Sequence, residues 1–230
     1  MKTTSLSLLA GAVLALCVPA TATANLVSNG SFEMGVYSNV PTGNGIDAST
    51  NSQQLFGGTI NGLRDWAVIG GTSEDIAWIG KNHVYGQLAA SDGNNFLDLT
   101  GWQQGGAFGK GVAQTFFTTL GQHYTLSFDL GNSTDYNSGV SELRVQVGST
   151  SRVVTSVTNN SRNSWDRFSF EFVAQDWGTT LSFTGVQANN YIGLDNVSVT
   201  AVPEPETYAL LLAGLGVMGA VARRRKSQQA

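Results

Sequence analysis

The sequence predicts an all-β domain of two packed antiparallel sheets, set between an N-terminal export leader and a C-terminal membrane helix. Three observations lead there. Large apolar side chains alternate with small or polar ones over short stretches, as in half-buried strands. Outside the two termini no segment sustains a helical period. Gly, Asn, Ser and Thr are abundant while only 12% of residues are charged, a composition suited to a turn-rich extracellular β domain.

The first element is the leader. Lys2 supplies the positive start, Leu6 to Val18 an apolar stretch too short to span as a stop-transfer helix, and Ala22-Thr23-Ala24 an A-x-A cleavage site. Signal peptidase is therefore expected to remove residues 1–24. Cys17, the only cysteine, follows Leu16 where a lipoprotein signal calls for a small residue. Residues 25–202 then contain no cysteine, so this part must be stable in an oxidising compartment through its core alone.

Residues 25–202 amount to 178, one domain's worth. They carry 14 acidic and 7 basic residues, a formal charge of −7, with no basic stripe, which argues against nucleic acid as a partner. Period-two alternation places Tyr124, Leu126, Phe128 and Leu130 on one face of a strand, and Leu143, Val145 and Val147 on another. Phe168, Phe170 and Phe172 mark a third, and Leu181 and Phe183 a fourth. Further strands are expected at 26–33, 65–69, 75–79, 96–99, 112–117, 152–157 and 193–199. About ten half-buried strands in one domain make two packed sheets. The polar segment 35–62 reads as a long loop, mobile or binding, and 101–111 as a glycine-rich loop carrying Trp102 and Phe108.

The last element is the tail. Pro203 and Pro205 lack backbone donors and hold their predecessors extended, so the globular part ends at Val202. The uncharged run Tyr208 to Ala222 is 15 residues long. As a helix it measures about 22 Å against a hydrocarbon core of about 30 Å, a mismatch that bilayer thinning or snorkelling absorbs. A buried core helix is the alternative, but Arg223, Arg224, Arg225 and Lys226 follow at once, as the positive-inside rule asks. A transmembrane helix over about 207–222 with a basic cytoplasmic end is expected, within a tail of 203–230.

Val202-Pro203-Glu204-Pro205, a glycine-bearing apolar helix and Arg223-Arg224-Arg225 together resemble the PEP-CTERM sorting signal of Gram-negative bacteria. That resemblance implies an exosortase as partner, cleavage near the Pro-Glu-Pro, inner-membrane anchoring before it, and delivery to the cell surface or to the extracellular matrix of a biofilm after it.

A second resemblance spans most of the domain. Asn25 to Glu33 (NLVSNGSFE), Asp92-Gly93, Phe96 to Leu99 and Gly193 to Val199 (GLDNVSV) are similar to the galactose-binding-like jelly roll. They also resemble bacterial relatives of a plant cell-wall domain family of unknown function. The likeness implies a jelly-roll β-sandwich and, as in many carbohydrate-binding modules of this fold, a structural calcium held by Glu33 and Asp195. Two carboxylates plus backbone carbonyls suit that ion. The alternative is that Asp195 caps a turn and Glu33 is a solvated strand end.

Catalytic chemistry is scarce: His83 and His123 are the only histidines, and no G-x-S-x-G or H-E-x-x-H occurs, so no enzyme is expected. Sugar rings stack on exposed aromatic faces, which makes Trp102, Tyr136, Trp177 and Tyr191, all in expected loops or strand ends, candidates for holding extracellular polysaccharide. Packing over the end of the sandwich is the other use of such residues. Trp66, Trp78 and Trp165 fall in strand patterns and belong to the core or a sheet face. Two functions compete: polysaccharide binding, and a structural surface protein that self-associates through its sheet faces or edges.

Overall fold

The structure, a computed structural model, describes residues 24–36, 46–47, 52–57, 62–70, 75–80, 88–101, 109–133, 140–156, 164–186, 191–203 and 205–227. The leader residues 1–23, Trp102, Tyr136 and Glu204 lie outside them, as do the side chains of 46–47, 205–210 and 226–227.

Two antiparallel sheets face each other in a jelly-roll-like sandwich. In the first, β1 (Ile46–Asp47), β2 (Ser52–Phe56), β4 (Asp75–Ile79), β5 (Phe96–Asp98), β12 (Gly193–Ala201), β7 (His123–Asn132) and β10 (Ser164–Val173) lie side by side in that order. In the second the order is β3 (Ala67–Ile69), β6 (Gly111–Phe117), β11 (Gly178–Gly185), β8 (Ser141–Val147) and β9 (Thr150–Ser156).

Alternation decides which face is buried. Tyr124, Leu126, Phe128 and Leu130 of β7 point inward, against Leu143, Val145 and Val147 of β8 and Leu181 and Phe183 of β11 in one core. The ring of Phe128 stacks on Phe168 (centroids 5.7 Å apart) and meets Phe183 edge-on at 5.1 Å. Deleting it would cost about 3–5 kcal/mol. Trp66 and Trp78 are buried in the same core, as expected. A smaller cluster lies apart from it, formed by Ala77, Ile79, Leu88, Phe96 and Tyr191 with Trp165 packed against them. A Cβ on Gly131 or Gly193 would come within 2.8–2.9 Å of the Trp165 ring, so Trp165 needs both glycines beneath it.

Two expectations are corrected. Residues 26–33 do not form a strand. Asn29 and Phe32 take left-handed backbone angles (φ 52° and 56°), and the Asn29 side chain closes the turn by accepting from Met34 N (2.8 Å) and donating to Met34 O (2.9 Å) and Arg64 O (2.8 Å). Only single backbone bonds, Leu26 N to Val199 O and Val197 N to Gly30 O, tie the segment to β12. Segment 35–62 is not simply a loop either, for it holds β1 and β2. Ser52, Gln53 and Gln54 of β2 are buried although polar, which hides the alternation.

The tail forms α1 (Pro205–Ser227), with Pro at its first turn, where no backbone donor is needed. Arg223, Arg224 and Arg225 are exposed within it rather than beyond it. Among the described residues no helix is long and apolar enough to cross a membrane.

Candidate functional site

Glu33 and Asp195, from opposite ends of the domain, meet one turn, Ser91-Asp92-Gly93-Asn94-Asn95. Asp195 Oδ2 accepts from Ser91 N (2.8 Å), Asp92 N (2.9 Å) and Ser91 Oγ (3.2 Å), and its Oδ1 from Asn196 N (2.7 Å). Glu33 Oε1 accepts from Asn94 N and Asn95 N, both at 2.6 Å, and Oε2 from Asn95 Nδ2 at 2.9 Å. Asp195 is aimed at the turn because a bulge interrupts β12 between Asp195 and Ser198, with Asn196 left-handed (φ 52°). Its neighbour in register, Asp129, takes the other contact of Ser91 Oγ (2.8 Å), Asn196 Nδ2 (3.0 Å) and Arg167 Nη1 (3.0 Å). Burial pushes the Asp195 carboxyl up to about 7, against the pull of its N–H donors.

The calcium expectation bears on this same place. The two carboxylates do converge on one place, but three N–H groups and a share of a hydroxyl fill the roughly four acceptor sites of Asp195. A cation there would have to share Asp195 with those donors, which do not fully offset the cost of burying its charge. Among the described residues no group of three or more His, Cys, Asp or Glu could hold a metal. Asp195 is a turn clamp, and Glu33 is its partner rather than a solvated strand end.

A second buried polar group was not foreseen. Lys110 Nζ lies 4.0 Å from Asp75 Oδ1, with all three of Asp75, Asp98 and Lys110 buried. Asp98 Oδ1 accepts from Thr100 N (3.0 Å), Thr100 Oγ1 (2.6 Å) and Ile192 N (3.2 Å). Burial raises its carboxyl to about 6 even so.

The aromatic candidates separate. Trp177 is 68% exposed, whereas Tyr191 is 5% exposed and packs its ring 6.2 Å from Phe96, so Tyr191 cannot offer a face to a sugar. Trp177 has an unforeseen companion in Phe117, 89% exposed. The pair is set by strand ends: Phe117 is opposite Gly178, Thr118 N donates to Trp177 O (3.0 Å), and Thr118 Oγ1 to Asp176 O (2.7 Å). Leu120 is exposed beside them in a turn that Gly121 (φ +80°) closes through Gly121 N to Ala174 O, 2.8 Å. Adjacent Phe116 and Phe117 could have revealed this, since neighbouring strand residues point to opposite faces and one of them must look outward. The same end of the sandwich holds the exit of the chain, through Val202 N to His123 O (2.8 Å) and Gln122 Nε2 to Val202 O (2.7 Å). Pro203 follows, exposed.

Residues 25–200 match the family model described as "Protein of unknown function (DUF642)", and residues 201–226 that of the PEP-CTERM protein-sorting motif. No curated protein matches the chain. Solved structures it is similar to include a cyclase from Fischerella sp. TAU, 18% identical, covering 77% of this chain and 96% of that one (TM-score 0.48). Others are TmCBM61 in complex with β-1,4-galactotriose, 13% identical, with 78% and 100% covered (0.45), and the CBM22-1 xylan-binding domain of Paenibacillus barcinonensis Xyn10C, 11% identical, with 61% and 88% covered (0.42). The expectation that the chain is no enzyme does not stand, because cyclases occur beside carbohydrate-binding modules among these structures.

Proposed function

The chain belongs to the DUF642 family and ends in a PEP-CTERM sorting motif, and from that premise we propose an exported, exosortase-processed surface protein that holds extracellular polysaccharide at the Trp177 end of its sandwich. The observation that carries this reading is the exposure of both Trp177 and Phe117 at adjoining, hydrogen-bonded strand ends. Two large rings left in water on a rigid support cost solvation unless something apolar covers them, and the faces of sugar rings are apolar. In this reading α1 and Arg223 to Arg225 hold the chain at the inner membrane until cleavage near Pro203 to Glu206 delivers it outward.

Retention of the protein on a panel of insoluble polysaccharides tests the binding half. Trp177→Ala and Phe117→Ala should each lower retention severalfold and leave the melting temperature within a degree or two, since both side chains are exposed. Undiminished retention by both variants, or no retention of the parent protein on any glycan, would remove this site. Intact mass of the surface-released protein tests processing: a chain still carrying Arg223 to Ala230 would sink it.

A further inference from the structure

β10 ends the seven-stranded sheet, with β7 as its one hydrogen-bonded strand neighbour among the described residues. An edge strand presents a row of unpaired backbone groups, and proteins commonly blunt such edges by shortness, Pro, Lys or a bulge. The edges β1 and β3 are two and three residues long. β10 lacks shortness, Pro, Lys and a bulge, and its charges are Asp166, Arg167 and Glu171: it runs ten residues, Ser-Trp-Asp-Arg-Phe-Ser-Phe-Glu-Phe-Val, and pairs with β7 from Ser164 to Val173 without a register shift. Phe168 and Phe170 on its inner side are only half-buried, with Arg152 lying 4.9 Å over the Phe170 ring.

We propose that β10 pairs antiparallel with β10 of a second copy about a two-fold axis at Ser169, joining the two seven-stranded sheets edge to edge. An axis perpendicular to the sheet keeps inner side chains opposite inner ones, so the strand can meet its own copy only in registers centred on a residue. Centred on Ser169, Arg167 of each copy lies opposite Glu171 of the other, twice over. On the inner face each Phe168 lies opposite the other copy's Phe170, and each Trp165 on the outer face opposite a Val173. Centring on Phe168 or Phe170 instead sets Arg167 against Ser169 or Val173 and loses both ion pairs. Arg167 already contacts Asp129 Oδ1 (3.0 Å) and Ser127 Oγ (2.9 Å) on β7, so the second copy's Glu171 would share it from the edge side. The Glu171 side chain is exposed and makes no hydrogen bond or ion pair among the described residues, so the second copy supplies its partner. The other long edge, β9 (Thr-Ser-Arg-Val-Val-Thr-Ser), carries one charge and has no such self-complementarity. This pairing is independent of the polysaccharide reading, since it uses neither Trp177 nor Phe117.

The test uses the full chain in detergent in a Cys17→Ser background. Ser169→Cys should form a disulfide-linked dimer on mild oxidation, because the axis brings the two thiols together, while Val153→Cys on the exposed β9 edge should not. Glu171→Arg and Arg167→Glu, each alone, turn both cross-copy pairs into like charges and should weaken dimerisation roughly tenfold in sedimentation equilibrium. An equimolar mixture of those two variants restores both attractive pairs and should dimerise like the parent. Equal cross-linking of the two cysteine variants, a parent chain that stays monomeric at high concentration, or a mixture no tighter than its components would each overturn the pairing.

Discussion

Gly93→Ala should destabilise the domain by an amount that depends on whether Glu33 is present. The glycine sits at φ +76°, and a Cβ there would lie 2.6 Å from Glu33 Oε1 and 2.8 Å from Glu33 Cδ. The left-handed backbone costs a non-glycine residue about 1–2 kcal/mol. The collision adds more, because the Glu33 carboxylate cannot swing aside without releasing Asn94 N, Asn95 N and Asn95 Nδ2. Hydrogen bonds to a charged acceptor are worth about 1.5–3 kcal/mol, and water reaching the exposed turn recovers part of the set. We therefore expect about 3–5 kcal/mol in the parent and only about 1–2 kcal/mol in a Glu33→Ala background, where nothing stands in the way of the methyl group. Urea unfolding of the four chains of the double-mutant cycle measures the difference. Additivity within about 0.5 kcal/mol would refute the clamp, since residues that share no partner add to that accuracy.

Two further outcomes follow from the carboxylates. Chelator should leave the melting curve unchanged at neutral pH, because N–H donors already occupy the oxygens of Glu33 and Asp195; a fall of several degrees reversed by calcium but not by magnesium would show that the turn yields to the ion. Asp98 keeps its proton to about pH 6 in the folded state but only to about 4 when unfolded, so the folded state binds more protons between those values and stability falls as pH rises through them. Asp98→Asn should flatten that part of the stability profile in urea melts at pH 4, 5, 6 and 7, and an unaltered slope would count against burial as the cause.

The strands that sequence periodicity predicts are those whose one face is all carbon. Tyr124 to Leu130 and Leu143 to Val147 alternate cleanly because the two sheets press on one side of each. β2 escapes that signal because its buried residues include Ser52, Gln53 and Gln54. The turn at 26–33 escapes it because apolar spacing does not record the sign of φ at Asn29 and Phe32, which tertiary contacts hold: Trp66 Nε1 donates to Asn29 O and Trp78 Nε1 to Phe32 O, each at 2.9 Å. Of the site, the convergence of Glu33 and Asp195 was legible from their motifs, but the intervening turn was not, since its N–H groups have no signature in side-chain identity. Tyr191 and Trp177 look alike in sequence; packing against Phe96 within the smaller cluster buries the first, while the second stays in water.

The chain's exit lies beside the aromatic tip, and this has a mechanical consequence. A protein held at its C-terminus while a polymer pulls on Trp177 is stretched between two points at one corner of the domain. The tension passes from Trp177 through Thr118 and the turn at Gly121 into Gln122 and His123, and leaves at Val202 through two hydrogen bonds. The rest of the sandwich lies off that line, so a tug on the tether would strain this corner first and spare the Phe128 core.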